Sequence, residues 1–164
     1  MVRPLAELRL IELLRSLHDR QVEHVVSGAV ALGFYGHVRG TANLDIIVRP
    51  SVDNLRGVHD WLVELEGHMA DDPSLRFGAR QRSKMFRGLD AAVVTKLGQV
   101  DVVQKLPGLP GWNQLLADSE RYELDELSVA VIARSTLIAL KEKRASPQDL
   151  ADIEAIRLLD RLED

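Results

Sequence analysis

The sequence predicts an α/β (α+β) domain whose mixed β-sheet has about four to six strands flanked by helices. Three observations carry that prediction. Short runs rich in β-branched residues alternate with stretches of helical period instead of being segregated from them. The 164 residues, 46% hydrophobic and 28% charged, suffice for one domain with a real core. Residues 134–164 read as two consecutive helices with a start signal between them.

The elements follow in order. Leu5, Leu8, Ile11 and Leu14 keep helical spacing, with Leu10 and Leu17 beside them, so residues 5–17 are expected to form an amphipathic helix. Val22 to Val26 is a buried strand, broken at Ser27-Gly28. Ala29 to Tyr35 is a short helix closed by Gly36. Ala42 to Val48 is a strand stopped by Pro50. Ser51 N-caps a helix whose core face is Leu55, Val58, Leu62 and Leu65. Gly67 and Asp71-Asp72-Pro73 mark a loop, and residues 74–88 show no clear period. Ala91 to Thr95 and Gln99 to Val103 form a hairpin around Leu97-Gly98. Residues 107–111 are a loop, Trp112 to Leu116 a helical turn or two, and Leu127 to Ala133 a strand. Ser135 opens a helix to about Arg144. Ser146 N-caps the last helix, with Pro147 at its first position, Asp149 in its first turn and Ile153, Ile156 and Leu159 inside. The chain is expected to be one domain, 1–164, with 134–164 as a C-terminal helical appendage.

Composition narrows the function. The absence of cysteine excludes disulfides, thiolate metal sites and a cysteine nucleophile, and fits a reducing, cytoplasmic setting. Glu7 and Arg9 interrupt what would be the apolar core of a signal peptide. No apolar run approaches the roughly 20 residues of a membrane span, so no membrane association is expected. A net charge of -4 argues against coating nucleic acid by bulk charge. The charge is unevenly spread, however. Between residues 76 and 105 stand Arg76, Arg80, Arg82, Lys84, Arg87, Lys96 and Lys105 against Asp90 and Asp101 alone.

Three segments can carry chemistry. Val25-Val26-Ser27-Gly28-Ala29 is a strand running through a Ser-Gly turn into a helix; a glycine there lets an anion approach the backbone, although most such junctions are only turns. In Asn43-Leu44-Asp45-Ile46-Ile47-Val48, positions 43 and 45 share one strand face while Leu44, Ile46 and Val48 share the other. Asp101 is a single carboxylate inside the apolar run Val100 to Val103. A carboxylate so placed is either ion-paired or holds a cation. If the two strands are neighbours, Asp45 and Asp101 converge into an oxygen site of the kind Mg²⁺ takes.

Taken together, Ser27-Gly28, Arg39-Gly40-Thr41, Asn43-x-Asp45 and Asp101 resemble in order and spacing the nucleotidyltransferase superfamily with the DNA polymerase β fold. His37, the stretch Leu137-Ile138-Ala139-Leu140-Lys141, Arg144 and Asp149-Leu150-Ala151-Asp152 resemble its small stand-alone bacterial members, near the AbiEii type of toxin–antitoxin protein. The resemblance spans roughly residues 20–160. It implies a nucleotidyltransferase-like fold and Mg²⁺ (or Mn²⁺)-dependent transfer of a nucleoside monophosphate from an NTP to an RNA end, a protein or a small-molecule hydroxyl. Asp45 and Asp101 would be catalytic and, with Asn43, would hold metal. Ser27, Gly28, Arg39, Thr41 and Lys141 would bind the nucleotide and its phosphates. Asn43 stands where the family has its first Asp, and Ser27 replaces the first turn glycine. The alternative is therefore a catalytically weak or inactive nucleotide- or partner-binding member of the same fold. A toxin–antitoxin component with a cognate protein partner is compatible with either.

Two features are weighed from the residues alone. Asp149 and Asp152 lie three apart on one helix face, where pairing with Lys141 or Arg144 would align the last two helices. Arg76 to Arg87 carries five cations, two aromatics and no acid; Arg80, Arg82 and Lys84 are its candidate polyanion contacts, against the alternative of a solvated charge run.

Overall fold

A computed structural model of the chain describes residues 7–164. The elements are α1 (Leu10–Asp19), β1 (His24–Ser27), α2 (Gly28–Phe34), β2 (Asn43–Val48), α3 (Val52–Glu64), β3 (His68–Met69), α4 (Ala79–Phe86), β4 (Ala91–Thr95), β5 (Gly98–Val103), α5 (Trp112–Asp118), β6 (Glu120–Leu124), β7 (Leu127–Val131), α6 (Arg134–Arg144) and α7 (Pro147–Glu163). The strands form one mixed sheet in the order β3-β4-β5-β2-β1-β7-β6. The sheet has seven strands, one beyond the about four to six expected. The two not read from the sequence are edge strands: β3, only two residues long, and β6, whose alternation of exposed and half-buried residues carries no apolar signature.

Most expected elements form, with shifted ends. The first helix starts at Leu10, later than residue 5; Leu5 lies outside the described residues. Residues 74–88, without a clear period in the sequence, contain α4, which buries only Gln81 and Met85 and so has no apolar stripe to read. The sixth helix begins at Arg134, one residue before Ser135, and its N-cap Ala133 makes no side-chain cap. Both serine caps form: Ser51 Oγ accepts the Asn54 N–H, and Ser146 Oγ accepts the Asp149 N–H while Asp149 accepts the Ser146 N–H in return.

The alternation of β2 and β5 sorts the sheet into two faces. Leu44, Ile46 and Val48 with Val100 and Val102 are almost wholly buried, in one core with Leu13, Leu14 and Leu17 of α1 and Leu55, Val58, Trp61 and Leu62 of α3. The Trp61 indole donates to Ser16 Oγ at 2.8 Å, tying α3 to α1 and satisfying the one polar group of the largest core side chain. On the other face stand Asn43, Asp45 and Ile47, beside Gln99, Asp101 and Val103.

Candidate active site

Register places the site. Strand β1 runs antiparallel to β2 with Ser27 opposite Asp45, and β2 runs parallel to β5 with Asp45 opposite Asp101. Serine and both acids thus stand side by side across three adjacent strands. Along β2 and β5 the paired residues form ranks: Asn43 opposite Gln99, Asp45 opposite Asp101, Ile47 opposite Val103. The acid rank faces a cleft of about 640 Å³, walled by Ile47 and Val103, by Leu106 and Pro107 of the following loop, and by Leu137, Leu140, Lys141, Lys143 and Arg144 of α6. Helix α6 is therefore a wall of the site.

Among the described residues, neither acid is paired with an arginine. Asn43 Nδ2 donates to Asp45 Oδ1 at 3.1 Å and to Asp101 Oδ2 at 2.7 Å, bridging the two carboxylates. Gln99 Nε2 donates to Asp101 Oδ1 at 3.0 Å. Two neutral amides therefore hold two like charges together without cancelling either. Burial, and then repulsion by Asp101, push Asp45 up to about 6; the positive charges of Arg144 and Lys141 pull the other way.

Gly28 sits against this pair. It opens α2 at φ +63°, and a Cβ there would overlap Asp45 Oδ2 and lie 2.8 Å from Asp45 Cγ. Glycine at this turn makes room for the Asp45 carboxylate, which the sequence alone does not reveal. Ser27, buried at the end of β1, and Gly28 both line the cleft.

The other expected contacts are placed differently. Lys141 is 2% exposed, and its ammonium donates to Asp152 Oδ2 at 2.8 Å and lies 3.6 Å from Asp149 Oδ1. Its charge is matched within the fold, although it lines the cleft. Arg39 points to Asp152, with its terminal nitrogen 3.3 Å from Oδ2, and His37 Nε2 is 3.9 Å from Oδ1. Thr41 donates its hydroxyl to the Asn43 carbonyl at 3.0 Å, shaping the entry to β2. Neither Arg39 nor Thr41 lines the cleft, and neither do Arg80, Arg82 or Lys84. Arg144 makes two bonds to Asp149, at 2.9 and 2.7 Å, which hold that carboxyl well below the usual range. The Lys141 ammonium and the Gln148 amide hold Asp152 low against the opposing effect of its burial. These contacts join α6 to α7.

Lys143 is the cation that sequence reasoning missed. It is exposed, lines the cleft and makes no ion pair among the described residues. Its side chain lies across Gly108, where φ is +85° and an added Cβ would come within 2.7 Å of Nζ. Its signal was its place on the helix face of Leu140 and Arg144, within a basic run that also reads as solvated.

The donor set fits one divalent cation. Two carboxylates open to a cleft, and the Asn43 amide touches both; with its oxygen turned inward it becomes a third oxygen donor. No cluster of three or more His, Cys, Asp or Glu side chains with metal-site geometry occurs among the described residues. No described helix is long and apolar enough to cross a membrane.

No protein-family model matches the chain, and no curated protein sequence matches it. Among solved structures it is similar to a Thermotoga maritima protein described as "a putative nucleotidyltransferase". The TM-score is 0.53 at 11% sequence identity, over 90% of this chain and 88% of the other. The likeness is one of fold, and it defines the chain as a protein of nucleotidyltransferase-like fold.

Proposed function

We propose that the protein transfers a nucleoside monophosphate from an NTP to a hydroxyl of an RNA end, a protein or a small molecule, with Mg²⁺ or Mn²⁺ as cofactor. The observation that supports it is the acid rank, Asp45 beside Asp101 on adjacent parallel strands, open to a cleft and unpaired with arginine among the described residues. Asp45, Asp101 and the Asn43 amide oxygen would hold the cation. Bound there, the cation supplies neutralisation of the triphosphate and of the departing pyrophosphate. Ser27 donates its hydroxyl to a phosphate oxygen at the cleft floor, and Lys143 brings a positive charge from the opposite wall. Asp101 accepts the proton of the attacking hydroxyl. Ile47, Val103, Leu106 and Leu137 exclude water beside the reacting groups. The order of the sequence motifs supports placing the chain near the small AbiEii-type members, with a cognate protein as partner.

A second reading rests on one observation, the Asn43 bridge. An amide in place of a third carboxylate lowers the charge that holds a cation, so a nucleotide-binding member with weak or no turnover is the alternative. The test is NTP binding by calorimetry with and without Mg²⁺, followed by transfer of label from an α-labelled NTP. Metal-dependent binding is expected in the wild type and lost in Asp45→Ala and Asp101→Ala; unchanged binding in those variants overturns the site. Asn43→Asp should tighten metal binding and raise transfer. Tighter metal binding without transfer would favour the second reading.

A further inference from the structure

We infer that helix α4 and its flanks form a docking surface for single-stranded nucleic acid, separate from the cleft. Arg76, Arg80, Arg82, Lys84 and Arg87 are all exposed, and no acidic residue occurs from 73 to 89. None of the five makes an ion pair among the described residues, whereas Arg15, Arg20, Arg49, Arg134 and Arg157 each reach a carboxylate. Among the described residues the fold thus leaves this set of cations without ion-pair partners.

Their arrangement narrows the ligand. Gln81 and Met85 turn inward, so the rest of α4 faces solvent. Arg80, Lys84 and Arg87, spaced four and three apart, line one edge of that face, their positions about 6 Å apart along the axis for each four-residue step. Arg82 and Phe86 line the other edge, with Ala79 and Ser83 between. A row of cations tracks a phosphate backbone, and four of the five are arginines, whose planar forks bind phosphate oxygens bidentately. Phe86 stays 39% exposed on a helix face that also carries Arg80, Arg82 and Lys84, and a ring there offers a base a stacking surface. An acidic protein would use the cations but leaves the ring unexplained. No residue of α4 lines the cleft, so this surface stands whether or not nucleotides bind there.

The test is fluorescence anisotropy with a labelled single-stranded RNA of mixed sequence, at 50 and 200 mM salt. Four phosphate contacts on a single strand predict about a 50-fold loss of affinity over that range. The triple variant R80E/R82E/K84E, altered only at exposed positions, should abolish the binding, and Phe86→Leu should weaken it by about tenfold. Circular dichroism checks that each variant is folded. No binding by the wild type at 50 mM salt, or full binding by the triple variant, overturns the proposal. Loss on Lys143→Gln with retention in the triple variant would put the strand in the cleft and also overturn it. Displacement by poly-glutamate at equal charge, with Phe86→Leu neutral, would assign the surface to an acidic protein instead.

Discussion

Replacing Asp45 by Asn tests the electrostatics of the acid rank in one step. The Asp45 carboxyl rises from 3.8 in the unfolded chain to about 6 in the fold, through burial first and Asp101 second. A raised carboxyl favours the protonated folded state, so its contribution to stability falls as pH rises from about 4 through 6. Above pH 6 the fold carries a charge that it disfavours by about 2 units, or about 3 kcal/mol at 1.36 kcal/mol per unit. Asp45 is only half-buried, so screening brings the expected figure to about 1–2 kcal/mol. Asparagine keeps the shape, and its oxygen still accepts from Asn43 Nδ2. Asp45→Asn should therefore stabilise the protein by about 1–2 kcal/mol at pH 8 and have little effect at pH 4. Urea unfolding in EDTA at the two pH values measures this. A variant destabilised at pH 8, or shifted equally at both, refutes the reasoning.

Four other outcomes follow from the same geometry. Gly28→Ala should cost more than about 2 kcal/mol, because it adds a Cβ at positive φ and against Asp45; much of the steric part should vanish when Asp45→Ala is also present, as a double-mutant cycle by denaturation would show. Lys141→Met should cost about 1.5–3 kcal/mol by removing the buried ammonium from Asp152, which keeps Arg39 and Gln148 as partners, and a stable variant that has lost NTP binding would instead assign Lys141 to phosphate. Lys143→Gln should leave the melting temperature unchanged while weakening NTP binding in calorimetry about tenfold, the loss of one charge-assisted contact. Asp149 and Asp152 are held low, so the stability they contribute is full above the usual carboxylate range and lost as pH falls below it. Opposed to Asp45, they should make a pH series of melting temperatures peak between about 4 and 6.

What could be read in the sequence follows from where charge interrupts apolar pattern. Asp45 and Asp101 are conspicuous because each breaks a run of Val, Ile and Leu, and the same alternation that exposes them buries Leu44, Val100 and Val102. Parallel pairing of β2 with β5 makes the two strands neighbours and brings the acids together. Gln99 escaped notice because a neutral amide at a strand start has no chemical signature. Its clue was repetition, since Gln99-x-Asp101 copies the spacing of Asn43-x-Asp45. Lys141 was readable as special but not as buried; its two partners lie on the next helix, where Asp149 also serves as a cap. Strand β6 and helix α4 were illegible for one reason: each buries too little apolar surface to impose a period.

The acid rank also has a consequence for how the molecule comes together. Asn43 and Asp101 are 58 residues apart in the chain and meet only when β2 and β5 pair in parallel. Such a pairing spans α3, β3, α4 and β4, and non-local pairings of this kind are slow to form, so the two halves of the acid rank are expected to meet late in folding. No partly folded fragment holding one strand without the other contains that site. A divalent ion that binds there binds the finished topology alone and stabilises it by mass action, about 2.7 kcal/mol at a hundredfold excess over its dissociation constant. Unfolding midpoints followed against ion concentration would then report the site's assembly without any substrate present.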